Sequence, residues 1–486
     1  MNFETTIAET KNIVIIGGGI TGLAAAYYLQ KELGNDQTNY SITLIEAGEK
    51  LGGKIITEKH EGFTIEGGPD CFLRQKPWAT ELATELGIKE ELIGTNDDRR
   101  KVFVLVNGKL TSLPDGVMLI IPTKIMPFVL SPLISWPGKI RMGLDWFIPP
   151  FKGADDESVG DFIRRRLGYE ALNKIAEPLM SGIHVSDPEK QSLLATFPRF
   201  RNIEQKHGSL IRGMLSQKKA AHQLPKNNSK LNSLFISFKN GVEQLITSLE
   251  ESLTHCSIYK KTEVTQISPA ANNRYSVELN NGEHIHADAV IMAIPSFNAA
   301  SLVAEISPNL AEQLNTIPYV STATISMAFR IDEITKPFSG FGFVIPSSEK
   351  RDISACTWSS IKFDHRAPED HILLRCFVGG PGKEEMVDLD NEELIRIARR
   401  ELGSILGLSA EPVLTRVYRW RKSNPQYEVG HLERVKEMFS TACTETPGIY
   451  LTGSAYEGVG IPDCVHQGQQ TAIQVVQYLQ KEKITA

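Results

Sequence analysis

The hydrophobic and polar positions of this chain predict a buried parallel sheet assembled from distant segments. Ile13 to Ile16 form an unbroken β-branched run, which is typical of a strand buried on both faces. Apolar residues from Leu23 to Leu33 then recur at helical spacing, so the pattern predicts a strand followed by a helix. Ser41 to Ile45 predicts a second strand, and the continuous apolar run from Ala289 to Pro295 predicts a strand that returns to the same sheet.

A second sheet is predicted from shorter, alternating segments. Val102 to Val106 and Leu110 to Leu113 flank Asn107-Gly108, a pair typical of a β-hairpin turn. Thr322 to Ile331 and Ile372 to Val378 alternate as strands do.

The predicted helices differ in their surroundings. Residues 79–95 predict one amphipathic helix, and Arg164-Arg165-Arg166 predicts a solvated helix face. Near the C-terminus, Gly448 to Gly453 predicts a strand, Ser454 to Pro462 a glycine-punctuated loop and Asp463 to Gln480 a helix. Such a helix directs the positive end of its dipole at whatever lies beyond the strand.

The stretch from Val117 to Ile148 is strongly apolar, and its interpretation stays open. Its four prolines and three cations leave apolar runs far shorter than the ~18 residues that a membrane-spanning helix needs, so we predict no span. Two interpretations remain: short helices that cap an apolar cavity, which we favour, and a surface patch that touches a bilayer.

Composition narrows the class of protein. At 486 residues the chain is too long for one core, so two or three domains are expected. The net charge of −6 argues against nucleic-acid binding, which needs a basic surplus. The six cysteines show no Cys-x-x-Cys spacing and the N-terminal residues no secretory pattern, which indicates reduced thiols in a cytoplasmic protein.

The turn after the first predicted strand reads Gly17-x-Gly19-x-x-Gly22. In such a turn one glycine makes the bend, the next lets the backbone approach phosphates, and the third lets the helix pack on the strand. The helix N-terminus then offers unpaired N–H groups to an anion. Glu46 ends the next predicted strand, where a carboxylate accepts the ribose hydroxyls. We therefore predict a dinucleotide site; a glycine-rich turn without ligand is the alternative.

Two glycine doublets follow, Gly52-Gly53 before Lys54 and Gly67-Gly68 before Pro69-Asp70. Doublets let the backbone pass tightly against a flat ligand, although two hairpin turns explain them equally well in isolation. Directly after a dinucleotide turn they favour FAD over NAD. Here the chain resembles the flavin oxidases that include amine oxidases and phytoene desaturases, in which a Gly-Gly pair flanks the flavin ring.

A narrower resemblance rests on three further segments. Glu177 to His184 reads Glu-Pro-Leu-Met-Ser-Gly-Ile-His, Phe197-Pro198 follows, and Gly458 to Cys464 reads Gly-Val-Gly-Ile-Pro-Asp-Cys. Together they resemble the oxygen-dependent porphyrinogen oxidases of haem synthesis, nearly end to end, and most of all the soluble forms of Gram-positive bacteria. Those act mainly on coproporphyrinogen III, whereas mitochondrial and plant relatives take protoporphyrinogen IX.

The resemblance implies a combined α/β and α+β fold in three parts. A Rossmann-like FAD-binding domain of the p-hydroxybenzoate-hydroxylase type would comprise residues 9–100, 232–300 and 440–486. Residues 101–231 would form a helical cap that is also the candidate membrane-contact region. Residues 301–439 would form a substrate-binding sheet domain.

It also implies the residues that contact FAD. The pyrophosphate, ribose and adenine contacts would be Gly17, Gly18, Gly19, Ile20, Thr21, Gly22, Glu46, Ala47 and Val264. The contacts along and around the isoalloxazine would be Lys54, Gly68, Pro69, Asp70, Cys71, Trp420, Val459, Gly460 and Ile461. The family's usual arginine before the hairpin strand is absent, because Val102 stands there, so the anchor for substrate carboxylates stays unassigned.

The implied reaction assigns no catalytic role to a protein residue. Hydride from a CH₂ bridge of the porphyrinogen passes to the flavin, O₂ takes the electrons to give H₂O₂, and three rounds yield the porphyrin. The sequence offers neither a nucleophile–base pair nor a metal cluster, and a lone His184 is more often structural. Arg74 and Lys76, just past the flavin-contacting turn, are candidate contacts for the substrate carboxylates, although surface solvation explains them equally well.

The implied partners are the tetrapyrrole and O₂, with peripheral membrane contact and transient contact with the next haem-pathway enzyme. Two alternatives stay open: a flavin-dependent amine oxidase, and a flavin-binding redox sensor without turnover. Amine oxidases often tether FAD through a cysteine in the segment that here runs from Pro425 to His431 and has none. We therefore expect noncovalent FAD. Only Tyr427 and Tyr456 are obvious candidates for an amine-binding aromatic cage.

Overall fold

The computed structural model describes residues 10–34, 39–114, 117–118, 121–122, 125–183, 185–221, 233–272 and 274–485. The first elements are β1 (Lys11–Ile16), α1 (Ile20–Leu33), β2 (Tyr40–Ile45), β3 (Thr57–His60), β4 (Phe63–Glu66), β5 (Phe72–Leu73), α2 (Trp78–Glu85) and β6 (Leu92–Gly94). The next are β7 (Val102–Val106), β8 (Lys109–Ser112), β9 (Val117–Met118), β10 (Ile121–Pro122), α3 (Ile125–Leu130), α4 (Trp136–Gly143), α5 (Val159–Arg166), α6 (Tyr169–Ala171), α7 (Glu177–Ile183), α8 (Leu193–Thr196), α9 (Pro198–His207) and α10 (Leu210–Ala221).

The second half begins with β11 (Phe235–Phe238), α11 (Glu243–Ser252), β12 (Cys256–Tyr259), β13 (Val264–Pro269), β14 (Tyr275–Leu279), β15 (His284–Ala287), β16 (Ala289–Met292), α12 (Ser296–Val303) and α13 (Pro308–Asn315). It ends with β17 (Tyr319–Arg330), β18 (Gly342–Val344), β19 (Ala355–Trp358), α14 (Ser359–Lys362), β20 (His371–Gly379), α15 (Asn391–Leu406), β21 (Leu414–Pro425), α16 (His431–Glu445), β22 (Ile449–Leu451) and α17 (Ile461–Thr485).

The first predicted sheet is present and parallel, with strand order β12-β2-β1-β16-β22. β1 pairs with β2 on one side and β16 on the other, with Ile13 opposite Ala289. Helices α1 and α17 pack on one face, where Leu23 and Val465 are fully buried. α12, α13 and α16 supply residues to the core on the other face. The predicted return of the Ala289 strand is therefore confirmed.

The second sheet has seven strands in the order β21-β17-β20-β19-β18-β7-β8. One face, which includes Ala323 and Leu374, packs against α15 in an apolar core. The β7–β8 hairpin turns at Asn107-Gly108, where both residues have positive φ, as predicted. Because β7 pairs with β18, this hairpin extends the second sheet, so the expected boundary at residue 101 puts it in the wrong part.

Two predicted elements are wrong in detail. Residues 79–95 do not form one helix: α2 ends at Glu85, Gly87 follows with a φ of +75°, and β6 begins at Leu92. The solvated face predicted for the three arginines of α5 is wrong for Arg166, which has no exposed surface, whereas the Arg164 side chain is 38% exposed. The Arg166 Nε lies 2.6 Å from Asp145 Oδ1, in the core of the helical region.

The apolar stretch from residue 117 to 148 has two distinct faces where its side chains are described. Phe128, Leu133, Ile134 and Met142 pack into the core of the helical region. The side chains that are between 65% and 79% exposed are Met126, Leu130, Trp136, Ile140 and Phe147, which we call the apolar surface. None of the helices in the described part of the chain has both the length and the apolar character to cross a membrane.

Candidate functional site

The glycine turn lies at the edge of the five-stranded sheet where the parallel strands end. Gly17 follows β1 with a φ of +103°, and a Cβ on it would lie 2.6 Å from the Ala293 carbonyl oxygen, just past β16. A Cβ on Gly22 would lie 1.9 Å from the Gly17 oxygen. A Cβ on Gly19 would meet no described atom within 4 Å. The turn is therefore tight at its outer glycines and open at the middle one.

Helix α1 leaves its first N–H groups available, because no side chain among the described residues caps it at Gly19. The Glu46 carboxylate is fixed beside this turn. Its Oε2 accepts from Gly18 N–H at 2.7 Å and its Oε1 from Gly48 N–H at 2.7 Å. Each oxygen keeps further acceptor capacity, so the carboxylate can still take two hydroxyl groups.

The first glycine doublet packs directly against the glycine turn. Gly52 N–H donates to the Gly18 oxygen at 2.8 Å, and a Cβ on Gly53 would lie 3.4 Å from Gly19 Cα. Two backbone segments therefore border the open space at Gly19.

Lys54 and the second doublet continue this contact. A Cβ on Gly68 would lie 1.7 Å from the Lys54 oxygen, and one on Gly67 would lie 2.8 Å from the Tyr418 ring, so larger residues do not fit. The Lys54 ammonium donates to the Ser423 carbonyl, and burial lowers the pKa of this lysine.

The second sheet holds the turn from Gly67 to Cys71, which we call the flavin turn because the resemblance predicts that it lies along the isoalloxazine. The Gly67 oxygen accepts from Trp420 Nε1 at 2.9 Å and from Arg375 Nη2 at 3.1 Å. The same Arg375 nitrogen donates to the Gly68 oxygen at 2.6 Å. Residues on two strands of the second sheet therefore fix the backbone of this turn.

An ion pair holds the other end of the flavin turn. Lys362 Nζ lies 2.7 Å from Asp70 Oδ2 and 3.3 Å from Cys71 Sγ. Burial alone would raise the pKa of Asp70, but the Lys362 and Arg375 charges outweigh it and hold that pKa well below its usual range. Burial raises the pKa of the Cys71 thiol to about 12, so the sulfur stays protonated.

The loop before α17 lies close to the glycine turn, since a Cβ on Gly453 would lie 3.7 Å from Thr21 Oγ1. Tyr427 OH donates to the Ser454 oxygen at 2.8 Å and accepts from Gly458 N–H at 2.8 Å. Asp463, in the first turn of α17, lies 2.6 Å from Lys76 Nζ. The helix N-terminus predicted for this position is confirmed.

The structure brings most of the sequence-predicted residues together around these segments. Gly17 to Gly22, Glu46, Lys54 and Gly68 to Cys71 form one continuous surface of contacts, which Trp420 joins through Gly67. Val264 begins β13, two residues beyond Thr262, whose N–H donates to the Glu46 oxygen. Ala47 and Val459 are exposed, Ile461 is the first residue of α17, and Gly460 directly precedes it. His184 lies outside the described residues.

Sequence reasoning missed Arg375 and Lys362. The alternation in β20 separates Arg375 from the apolar Leu374 and Cys376, and this signal places it on the opposite face of its strand. Nothing in the sequence links that face to Gly67, because the two residues are 308 positions apart.

The residues present fit FAD. Open space at Gly19 beside an uncapped helix N-terminus suits the pyrophosphate, and the Glu46 carboxylate suits the ribose. The fold and site therefore define a flavin-dependent oxidoreductase. The chain belongs to the flavin-containing amine oxidoreductase family, whose model matches residues 20–476.

Individual relatives show which group within this family the chain resembles. The chain is 41% identical to coproporphyrinogen III oxidase of Bacillus subtilis (strain 168), covering 96% of this chain and 98% of the relative. It is 35% identical to coproporphyrinogen III oxidase of Staphylococcus aureus, covering 96% and 99%. A crystal structure of a putative protoporphyrinogen oxidase from Exiguobacterium superimposes with a TM-score of 0.86 at 35% identity, covering 97% and 99%. The expected membership of the porphyrinogen oxidase group is confirmed.

Proposed function

We propose that this chain is a cytoplasmic enzyme that oxidises coproporphyrinogen III to coproporphyrin III, with O₂ as the acceptor, in haem biosynthesis. The near full-length similarity to relatives named coproporphyrinogen III oxidase supports this substrate most directly. FAD, when bound, supplies the acceptor for hydride from the CH₂ bridges of the macrocycle.

The task of the protein residues is then to position the macrocycle and exclude water. Arg375 and Trp420 fix the carbonyl of Gly67, and the Lys362–Asp70 pair fixes the far end of the flavin turn. A turn held at both ends presents a rigid edge to a flat substrate. This proposal needs no side chain that accepts a proton at a reactive carbon.

Arg74 and Lys76 remain proposed contacts for the substrate carboxylates. Arg74 is exposed, and its Nε donates to the Ser233 oxygen at 3.1 Å. Lys76 is paired with Asp463, so a carboxylate ligand would have to compete for its charge. If either cation binds a carboxylate, its neutralisation should cost about 1–3 kcal/mol of binding free energy, which raises the KM for coproporphyrinogen and raises that for protoporphyrinogen less.

The decisive experiment is turnover of anaerobically prepared coproporphyrinogen III and protoporphyrinogen IX, side by side, after admission of air. We expect porphyrin fluorescence and H₂O₂ to appear together, with a higher kcat/KM for coproporphyrinogen. Rates no faster than the spontaneous oxidation would refute the activity and favour the redox sensor. A preference for protoporphyrinogen would overturn the choice of substrate.

The amine oxidase alternative lacks support in the site geometry. Tyr456 is fully buried, and the Tyr427 hydroxyl is engaged with two backbone groups in the loop before α17. Neither ring is presented as the wall of an open cage.

The favoured role of residues 117–148 as a cap over an apolar cavity stays a prediction, and beside it we propose that the apolar surface on α3, α4 and the following turn rests on a bilayer. Its side chains project outward, while the inner face of the same stretch covers the core of the helical region. Cosedimentation with vesicles should therefore fall when Trp136 and Phe147 are replaced by serine. Equal sedimentation of the unmutated protein and the serine variant would refute this. The next haem-pathway enzyme would then be the partner to test for binding to the apolar surface.

A further inference from the structure

Arg375 is a buried guanidinium without a carboxylate partner among the described residues. Its neighbour Cys376 points into the apolar core beneath α15, so Arg375 and Phe377 lie on the opposite face of β20. The arginine is only 5% exposed. Its Nη2 donates to the carbonyls of Gly67 and Gly68, while its Nε has no hydrogen-bond partner in the described part of the chain.

The charges around the flavin turn do not balance. Lys362 is bonded to Asp70, and Arg366 Nη2 lies 3.7 Å from Glu66 Oε1, so each carboxylate already has its own cation. Arg375 is a third cation: Asp70 and Glu66 attract it electrostatically, but no carboxylate among the described residues is bonded to it, so we call it the surplus cation. Burial raises the pKa of Glu66 to about 7, so this carboxyl is partly protonated near neutral pH and the negative charge around the turn is smaller still. Because a guanidinium cannot lose its proton, a buried surplus of this kind is costly until an anion arrives.

The position of Arg375 indicates where that anion comes from. On one side it contacts Gly67 and Gly68, in the FAD-binding part of the chain. On the other side its guanidinium lies 5.0 Å from the ring of Phe377, which packs against the core of the helical region. The three parts of the molecule therefore meet at this side chain, on the face of the sheet toward the flavin turn.

We propose that Arg375 binds a carboxylate on the rim of the porphyrinogen and so orients the macrocycle over the flavin turn. This inference rests on the proposed function. The planar guanidinium presents donors in a fixed fork that matches a carboxylate, and two of its three nitrogens are not used by Gly67 and Gly68.

The test compares ligands that differ only in charge. Binding of coproporphyrin III, with four carboxylates, and of its uncharged tetramethyl ester is measured by fluorescence on the FAD-loaded protein. Arg375→Gln keeps a donor for the two carbonyls but removes the charge. We expect it to weaken binding of the acid roughly tenfold to a hundredfold and that of the ester little. Arg375→Lys should restore part of the affinity for the acid.

A matched control is Arg419→Gln, on the opposite face of the same sheet. The Arg419 guanidinium also donates to backbone carbonyls, those of Val387 and Leu389. This variant should bind both ligands as the unmutated protein does.

Two results would overturn the inference. Equal weakening of acid and ester by Arg375→Gln would make the residue a structural clamp of the turn. The second result is an Arg375→Gln variant that changes the midpoint potential of the bound FAD, measured by dye equilibration, but leaves the ratio of the affinities for acid and ester unchanged. The anion that Arg375 faces would then be the reduced cofactor. An unmutated protein that fails to oxidise porphyrinogens would instead refute the proposed function.

Discussion

Replacing Gly19 by alanine should separate cofactor binding from folding. Gly19 has a φ of −69° and a ψ of 175°, a conformation that any residue adopts, and an added methyl group meets no described atom within 4 Å. The lower entropy of the unfolded chain should stabilise the apoprotein by about 0.4–1 kcal/mol. Alanine is a poorer N-terminal cap than glycine, which offsets this gain by a similar amount. We therefore expect little change in the apoprotein.

The effect on FAD should be much larger. The methyl group projects into the space that the pyrophosphate needs at the N-terminus of α1, and the phosphate must move away from the N–H donors. Loss of one hydrogen bond to a charged group costs about 1.5–3 kcal/mol, so the Kd for FAD should rise roughly tenfold or more.

The assay is a fluorescence titration of apoprotein with FAD, together with thermal unfolding of the apoprotein. Gly143→Ala, at the end of α4, is the matched control: a Cβ there also meets no described atom, and its FAD affinity should not change. Gly22→Ala should fail to fold, because the new Cβ would lie 1.9 Å from the Gly17 oxygen. An unchanged Kd for Gly19→Ala would place the phosphate site elsewhere.

Three further predictions concern the cofactor and the core. Acid precipitation should release FAD into the supernatant, since the Pro425 to His431 segment has no cysteine; flavin in the pellet would refute noncovalent binding. Arg166→Met should lower the free energy of unfolding by about 3–5 kcal/mol, because it leaves the buried Asp145 carboxylate without its cation. Arg164 is more exposed, so Arg164→Met should lower it by no more than about 1 kcal/mol. Similar losses for the two variants in denaturant titrations would contradict this. Burial lowers the pKa of His431 to about 4, so below pH 6.5 the unfolded chain binds more protons than the folded one. The free energy of unfolding should therefore fall by roughly 3 kcal/mol between pH 6.5 and 4. His431→Gln should flatten that pH dependence in denaturant titrations.

The sequence determined the features that depend on neighbouring residues. The β-branched run from Ile13 to Ile16 is a buried strand, Gly17 to Gly22 is a turn at a helix N-terminus, and Asn107-Gly108 is a hairpin. Backbone sterics and side-chain periodicity act over a few residues, so their outcome is readable without a partner. The cofactor class followed because a pyrophosphate is bound by this local backbone geometry.

The tertiary structure decided which charges are buried and what they face. The sequence pattern of α5 predicts solvated arginines, yet Arg166 is fully buried. It can be buried because the Asp145 carboxylate, from outside α5, accepts a hydrogen bond from its guanidinium and balances its charge. Arg375 reaches Gly67 across 308 residues, and Lys362 reaches Asp70 across 292. Periodicity assigns a residue to one face of its own element, but the packing of distant elements decides what that face meets. The surplus cation at the flavin turn is therefore a property of the assembled fold.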